Sequence, residues 1–268
     1  MQKKRAGWLY LIIGFMSIAL IGFSSLPLFI SIFSENQLSS LPYSATNPQL
    51  SPDKQARIEA EARGYQKVLE REPDNNTALK GLLNIRLEQQ DLEAAIKPLE
   101  KLAKLNPEQT EYKILLAQAK QQLEDFEGAV LVYRSILAIY PYNIPALSGI
   151  TNLFLQQDLP ERAISLLQET LALAEKTQAE ISQINSVQLL LGEVYAEQER
   201  YSEAIAVFDR ATAADEGDFR PILAKALILH EQGQDREAKP LLKSAYSLAP
   251  AQFKDRINQL DRDWESKS

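Results

Sequence analysis

The sequence predicts an all-α protein, a solenoid of stacked helical hairpins behind one N-terminal transmembrane helix, and three observations carry that expectation. Pro73, Pro107 and Pro141 stand 34 residues apart. Ala95, Ala129, Ala163, Ala204 and Ala238 are spaced by 34, 34, 41 and 34. Residues Ala6 to Leu26 form a run of 21 without a charge. A period of this length belongs to a helix–turn–helix unit repeated along the chain. At 1.5 Å per residue the uncharged run covers about 31 Å, close to the hydrocarbon thickness of a bilayer.

The apolar run continues past Pro27 to Phe33, so residues 1–33 read as a membrane anchor. A cleavable signal peptide is the competing reading. Its apolar core is shorter, about 7 to 15 residues, and the nearest small-residue site, Tyr43-Ser44-Ala45, lies well past the end of the run with Tyr in the wrong place. Lys3, Lys4 and Arg5 precede the run beside Trp8 and Tyr10, whereas the far flank has no basic residue before Lys54. The positive-inside rule therefore keeps the N-terminus in the cytoplasm and puts the large domain on the extracytoplasmic side, periplasmic or lumenal. Residues 34–51, with Pro42, Pro48 and several Ser and Asn but no amphipathic period, read as a flexible linker.

Helical periodicity begins at Ser51-Pro52-Asp53, an N-cap with proline in the first turn, and runs to Glu72. Beyond it the same triad recurs in each unit: Ala95-Leu99-Leu102, Ala129-Tyr133-Ile136, Ala163-Leu167-Thr170, Ala204-Phe208-Ala211 and Ala238-Leu242-Ala245. In the fourth unit Leu191-Gly192 and Tyr195 precede it. These residues resemble the tetratricopeptide-repeat (TPR) family, at its positions 7, 8, 11, 20, 24 and 27. The small residues let the two helices of a hairpin approach, and the large one fills the gap to the next helix. A single hairpin leaves an apolar face bare, so stacking supplies the core.

The resemblance implies a right-handed superhelical solenoid over 52–265. It comprises a capping helix at 52–72, repeats at 76–107, 110–141, 144–175, 185–216 and 219–250, and a last capping helix at 251–265. Seven extra residues separate the third and fourth repeats, and Glu175 replaces the proline, so the second helix of repeat three is expected to run about two turns longer. In Asp215-Glu216-Gly217-Asp218, Gly217 is expected to end the helix in place of the missing proline.

Composition removes much chemistry. The chain has no Cys and one His, His230, so thiolate sites and His-rich metal sites are out of reach, and neither cofactor nor metal is expected. Net charge is −7, and after the three basic residues of the first 33 are set aside, 26 basic face 36 acidic residues. Such a domain is repelled by phosphate backbones, so nucleic acid is not an expected partner. The acidic clusters sit at helix starts and turns, where capping explains them, and none forms an acid/base pair. The sequence therefore reads as a protein without enzymatic activity.

In the TPR family the first helices line a concave groove. The resemblance puts Asn84, Gln118, Asn152, Glu193 and Leu227 at the groove-facing ninth position of successive repeats, four of them polar. Side-chain amides there can hydrogen-bond an extended peptide backbone. Lys80 joins Asn84 as half of the family's carboxylate clamp, whose other members would fall on Leu115, Pro145 and Gly149, so chaperone-tail capture is not expected. The candidate peptide-binding groove is thus Lys80, Asn84, Gln118, Asn152 and Glu193. The expected function is a membrane-anchored scaffold or assembly factor that holds client proteins, similar in architecture to cyanobacterial and plastid photosystem-assembly TPR proteins. The alternative is a permanent structural subunit of an envelope or membrane complex, which should show a large exposed apolar patch.

Overall fold

The structure, a computed structural model, describes residues 52–267. The expected anchor over 1–33 and linker over 34–51 lie outside the described residues. Among those described, no helix is long and apolar enough to cross a membrane. They form twelve α-helices and no strand: α1 (Pro52–Arg71), α2 (Asn76–Glu88), α3 (Leu92–Leu105), α4 (Thr110–Gln122), α5 (Phe126–Leu137), α6 (Ile144–Gln156), α7 (Pro160–Thr177), α8 (Ile181–Glu197), α9 (Tyr201–Ala214), α10 (Phe219–Glu231), α11 (Asp235–Leu248) and α12 (Ala251–Lys267).

They divide into two compact units, one ending at Tyr140 and the other starting at Pro141. In the N-terminal unit each helix from α1 to α5 packs on the next. Its core joins Leu79, Leu83, Leu99, Leu102, Tyr112 and Leu115 around the small Ala95. Ile58 and Ala62 of α1 cluster with Leu82 and Ile85 of α2. In the C-terminal unit α6 to α12 also pack in sequence, and α8 touches both α6 and α10. All five periodic alanines are 0% exposed, so the residue that recurs in the sequence sits where two helices meet.

The turns inside the hairpins share one backbone solution. Gln90, Glu124, Asp158, Glu199 and Gly233, at the same place in successive repeats, are left-handed, with φ from 59 to 73°. The following N–H donates to the carbonyl five residues back, Asp91 to Arg86, Asp125 to Lys120, Leu159 to Phe154, Arg200 to Tyr195 and Gln234 to Leu229, each at 2.8 Å. These bonds satisfy carbonyls that a helix end would otherwise orphan. Asp91 and Asp125 then cap the next helix, accepting from Ala94 N–H at 3.0 Å and Gly128 N–H at 2.9 Å. Asn75 and Asn143 do the same for α2 and α6.

Two local expectations are corrected. The seven extra residues do not simply extend the second helix of repeat three. α7 has 18 residues against 12 to 14 in α3, α5, α9 and α11, and α8 has 17 against 13 in α2, α4, α6 and α10, so both helices lengthen. Between them Gln178, at φ 53°, turns the chain. Nor does Gly217 end α9 through a left-handed cap. The helix ends at Ala214, Asp215 leaves with φ −145°, and Gly217 N–H donates to Asp215 Oδ1 at 3.0 Å, an aspartate-centred turn that asks nothing special of glycine's backbone.

Candidate functional site

Lys80 and Asn84 lie four residues apart on α2 and therefore on one face. Behind them Leu79, Leu82 and Leu83 are buried. Lys80 is half-buried and Asn84 exposed, while Gln118 on α4 is half-buried and Asn152 on α6 exposed. The helices of these residues are held from behind by Leu115 and Leu116, and by Leu147 and Ile150. None of the four makes a hydrogen bond or ion pair among the described residues, so their polar ends remain available. Lys80, Asn84 and Gln118 belong to the N-terminal unit, Asn152 and Glu193 to the C-terminal one.

Glu193 on α8 differs. The residue as a whole is half-buried, yet its Oε1 is shut off from solvent and meets no donor among the described residues. Burial pushes its carboxyl up to about 8, with Arg220 opposing the shift and Glu197 adding to it. Arg220 gives only long-range help because it is committed elsewhere: its Nε and Nη2 donate to the two Asp218 oxygens at 2.9 and 2.7 Å. On α10 the corresponding residue is Leu227, which is buried.

Sequence reasoning missed a set of buried oxygens. Thr151 Oγ1, Asn185 Oδ1 and Gln188 Oε1 also lack a partner among the described residues, and with Glu193 Oε1 all lie in the C-terminal unit. Asn185 is 0% exposed and its amide donates to the Ala211 carbonyl at 3.1 Å. Asn185 stands near the start of α8 and is buried against α9, a placement that the residue's type and spacing do not reveal. Among the described residues, no three His, Cys, Asp or Glu side chains gather as metal ligands.

Paired helices with left-handed turns, small residues at each crossing and free polar side chains on the first helices define an α-helical repeat protein built for contact with other molecules. The tetratricopeptide-repeat sequence profile matches residues 59–110, 84–144 and 152–219, together more than half of the chain. The chain belongs to the tetratricopeptide-repeat family, whose module is a protein-binding scaffold. It is 25% identical over 222 residues to the chloroplastic protein SLOW GREEN 1 of Arabidopsis thaliana, covering 81% of this chain and 70% of that one. A second relative is cellulose synthase operon protein C of Pseudomonas fluorescens (strain SBW25). It is 28% identical over 150 residues, which are 56% of this chain and 12% of that protein. Among solved structures, yeast Tom70 superposes with a TM-score of 0.56 at 14% identity, over 94% of this chain and 48% of that one.

Proposed function

We propose that the protein is a membrane-anchored scaffold that holds segments of client proteins against the first helices of its repeats during the biogenesis of a membrane complex. The observation that carries this reading is the set of polar side chains Lys80, Asn84, Gln118 and Asn152, which have no partner among the described residues and stand each on a first helix whose opposite side is packed. Amides held at a surface without internal partners are placed to bond an extended backbone. The uncharged run at Ala6–Leu26 supplies the anchor, and its basic flank puts the repeats on the extracytoplasmic, periplasmic or lumenal side. Tethering raises the local concentration of membrane-bound clients, which suits a shallow binding surface. Similarity to a chloroplastic protein over 81% of the chain supports a plastid-like or cyanobacterial setting.

The alternative of a permanently built-in subunit finds less support. The large apolar residues more than half exposed, Leu131, Ile139 and Ile181, are scattered among the described residues, and α12 turns Gln252, Asp255, Arg256, Gln259 and Arg262 outward.

The test places a photo-crosslinking amino acid at Gln118 or Asn152 of the full chain in sealed membranes, with Arg134 and Glu169 on second helices as controls. Client crosslinks concentrated at Gln118 and Asn152 support the reading. Equal labelling from Arg134 and Glu169 overturns it. Protease added outside right-side-out vesicles should digest the repeats, and protection would reverse the topology.

A further inference from the structure

Glu193 stands on the side of α8 turned away from the second helices. Leu191 and Tyr195, two residues before and two after it, line a cleft against α7, and Gly192 packs on Phe208 of α9. In a helix of 3.6 residues per turn, side chains two positions apart point to opposite faces, so Glu193 faces away from that cleft. Asn152 is placed in the same way on α6, two residues from the buried Ile150 and Phe154. α6 and α8 touch, so Asn152 and Glu193 share one surface of the C-terminal unit.

Glu193 Oε1 is shut off from solvent without a donor among the described residues, while the residue as a whole keeps some surface open. The charges that act on it are Arg220 of α10 and Glu197 of α8; α6, α7 and α9 bring none. Arg220 is held by both Asp218 oxygens, at 2.9 and 2.7 Å, so its charge is already matched. Burial pushes the Glu193 carboxyl up to about 8, so it carries its proton at pH 7. The surroundings are acidic as well. Residues 141–268 hold 20 acidic and 13 basic side chains, whereas the first 140 residues hold 16 of each, so the whole net charge of −7 falls on the C-terminal part.

A group that answers Glu193 must bring donors and no acceptor, which among side chains means Lys or Arg. The guanidinium is the more weakly hydrated of the two and gives up less on entering a half-buried place. We infer that Glu193 receives an arginine side chain of the client segment whose backbone is held at Asn152. The assignment rests on the reading of the first helices as the client surface and adds a side-chain preference to it. Packed helices lie about 8–10 Å apart and an extended chain advances about 3.3 Å per residue. The arginine therefore stands about three residues from the backbone group that Asn152 bonds. Its arrival ionises the carboxyl, and the released proton passes to solvent.

The test titrates the full chain in detergent with a peptide capped at both ends, ASNARANSA, and with the same peptide carrying citrulline, an uncharged isostere, in place of arginine. Calorimetry should show the arginine peptide binding about tenfold more tightly at pH 9 than at pH 7, where ionising Glu193 opposes binding. Heats measured at pH 7 in phosphate and in Tris should differ by the release of about one proton per peptide. Glu193→Gln should remove the pH dependence and the proton release together, and weaken arginine binding at pH 9 by about tenfold. The citrulline peptide should bind both chains alike. Glu169→Gln, which takes the same charge from a second helix, should change nothing, so an equal loss in both variants means general attraction to an acidic surface and overturns the inference. Arginine binding indifferent to Glu193→Gln overturns it too. Equal affinity for the two peptides, both weakened by Asn152→Ala, overturns the arginine assignment and leaves the first-helix surface standing. Failure of both peptides to bind also overturns it, and the crosslinks at Gln118 and Asn152 then judge that surface separately.

Discussion

The Phe208 ring of α9 lies directly over the Cα of Gly192 on α8, so close that a Cβ added to Gly192 would come 2.3 Å from Cε1. Phe208 is 1% exposed and has nowhere to retreat. In an open helix Gly→Ala stabilises by about 0.5–1 kcal/mol. At Gly192 the sign reverses, and Gly192→Ala should cost about 1–3 kcal/mol through overpacking. Phe208→Leu in the same chain should recover part of the loss, a coupling read by a double-mutant cycle in urea. Gly64 on α1 is the internal control. No atom stands within 4 Å of its missing Cβ, so Gly64→Ala should raise stability.

The five left-handed turn residues yield a second prediction. Gln90, Glu124, Asp158 and Glu199 hold a conformation that side chains resist, whereas Gly233 holds it freely. Gln90→Gly and Glu199→Gly should each stabilise by about 0.5–1 kcal/mol, and Gly233→Ala should destabilise by about 1 kcal/mol. Thermal melting of the three variants checks the pattern. Stabilisation by Gly233→Ala would contradict the shared turn geometry.

At the C-terminal end the His230 ring stacks on Trp264 with centroids 4.0 Å apart and planes 13° from parallel. His230 Nδ1 also meets Asp235 Oδ1 at 2.5 Å, and Phe253 of α12 lies 5.3 Å from Phe219. His230 and Trp264 therefore join α10 to α12. Trp264→Ala removes a side chain only 5% exposed and should cost about 3 kcal/mol, mostly by releasing α12. His230→Phe keeps an aromatic ring but loses the bond and should cost about 1 kcal/mol. Hydrogen exchange in α12 should speed up far more in Trp264→Ala than elsewhere in the chain.

The helical pairing was legible because a small residue must occupy every close crossing, and Ala95 through Ala238 advertise that need at a fixed interval. The turn conformation was not, since Gln, Glu and Asp stand where glycine would have signalled it. Gly217 gave the opposite error, a glycine whose neighbour Asp215 makes the turn. For the site, repeat position located Asn84, Gln118 and Asn152 on first helices. It could not show that Glu193 is cut off from donors, which depends on Arg220 being taken by Asp218.

Glu193 gives a pH-dependent prediction. Its carboxyl is raised from 4.5 to about 8, so between those values the folded chain holds a proton that the unfolded chain has released. Stability contributed by this group is fully present below about pH 4.5 and is lost as pH rises through about 8. Glu193→Gln keeps the shape and removes the titration, so it should match the native chain at pH 5 and exceed its stability at pH 9. The gap should be on the order of 2 kcal/mol once partial exposure of the residue is allowed for. Urea unfolding of both chains at pH 5, 7 and 9 reads the difference, in which every other titrating group cancels. Parallel curves would mean that Glu193 is ionised and hydrated in the fold, and available to a cationic client without first giving up a proton.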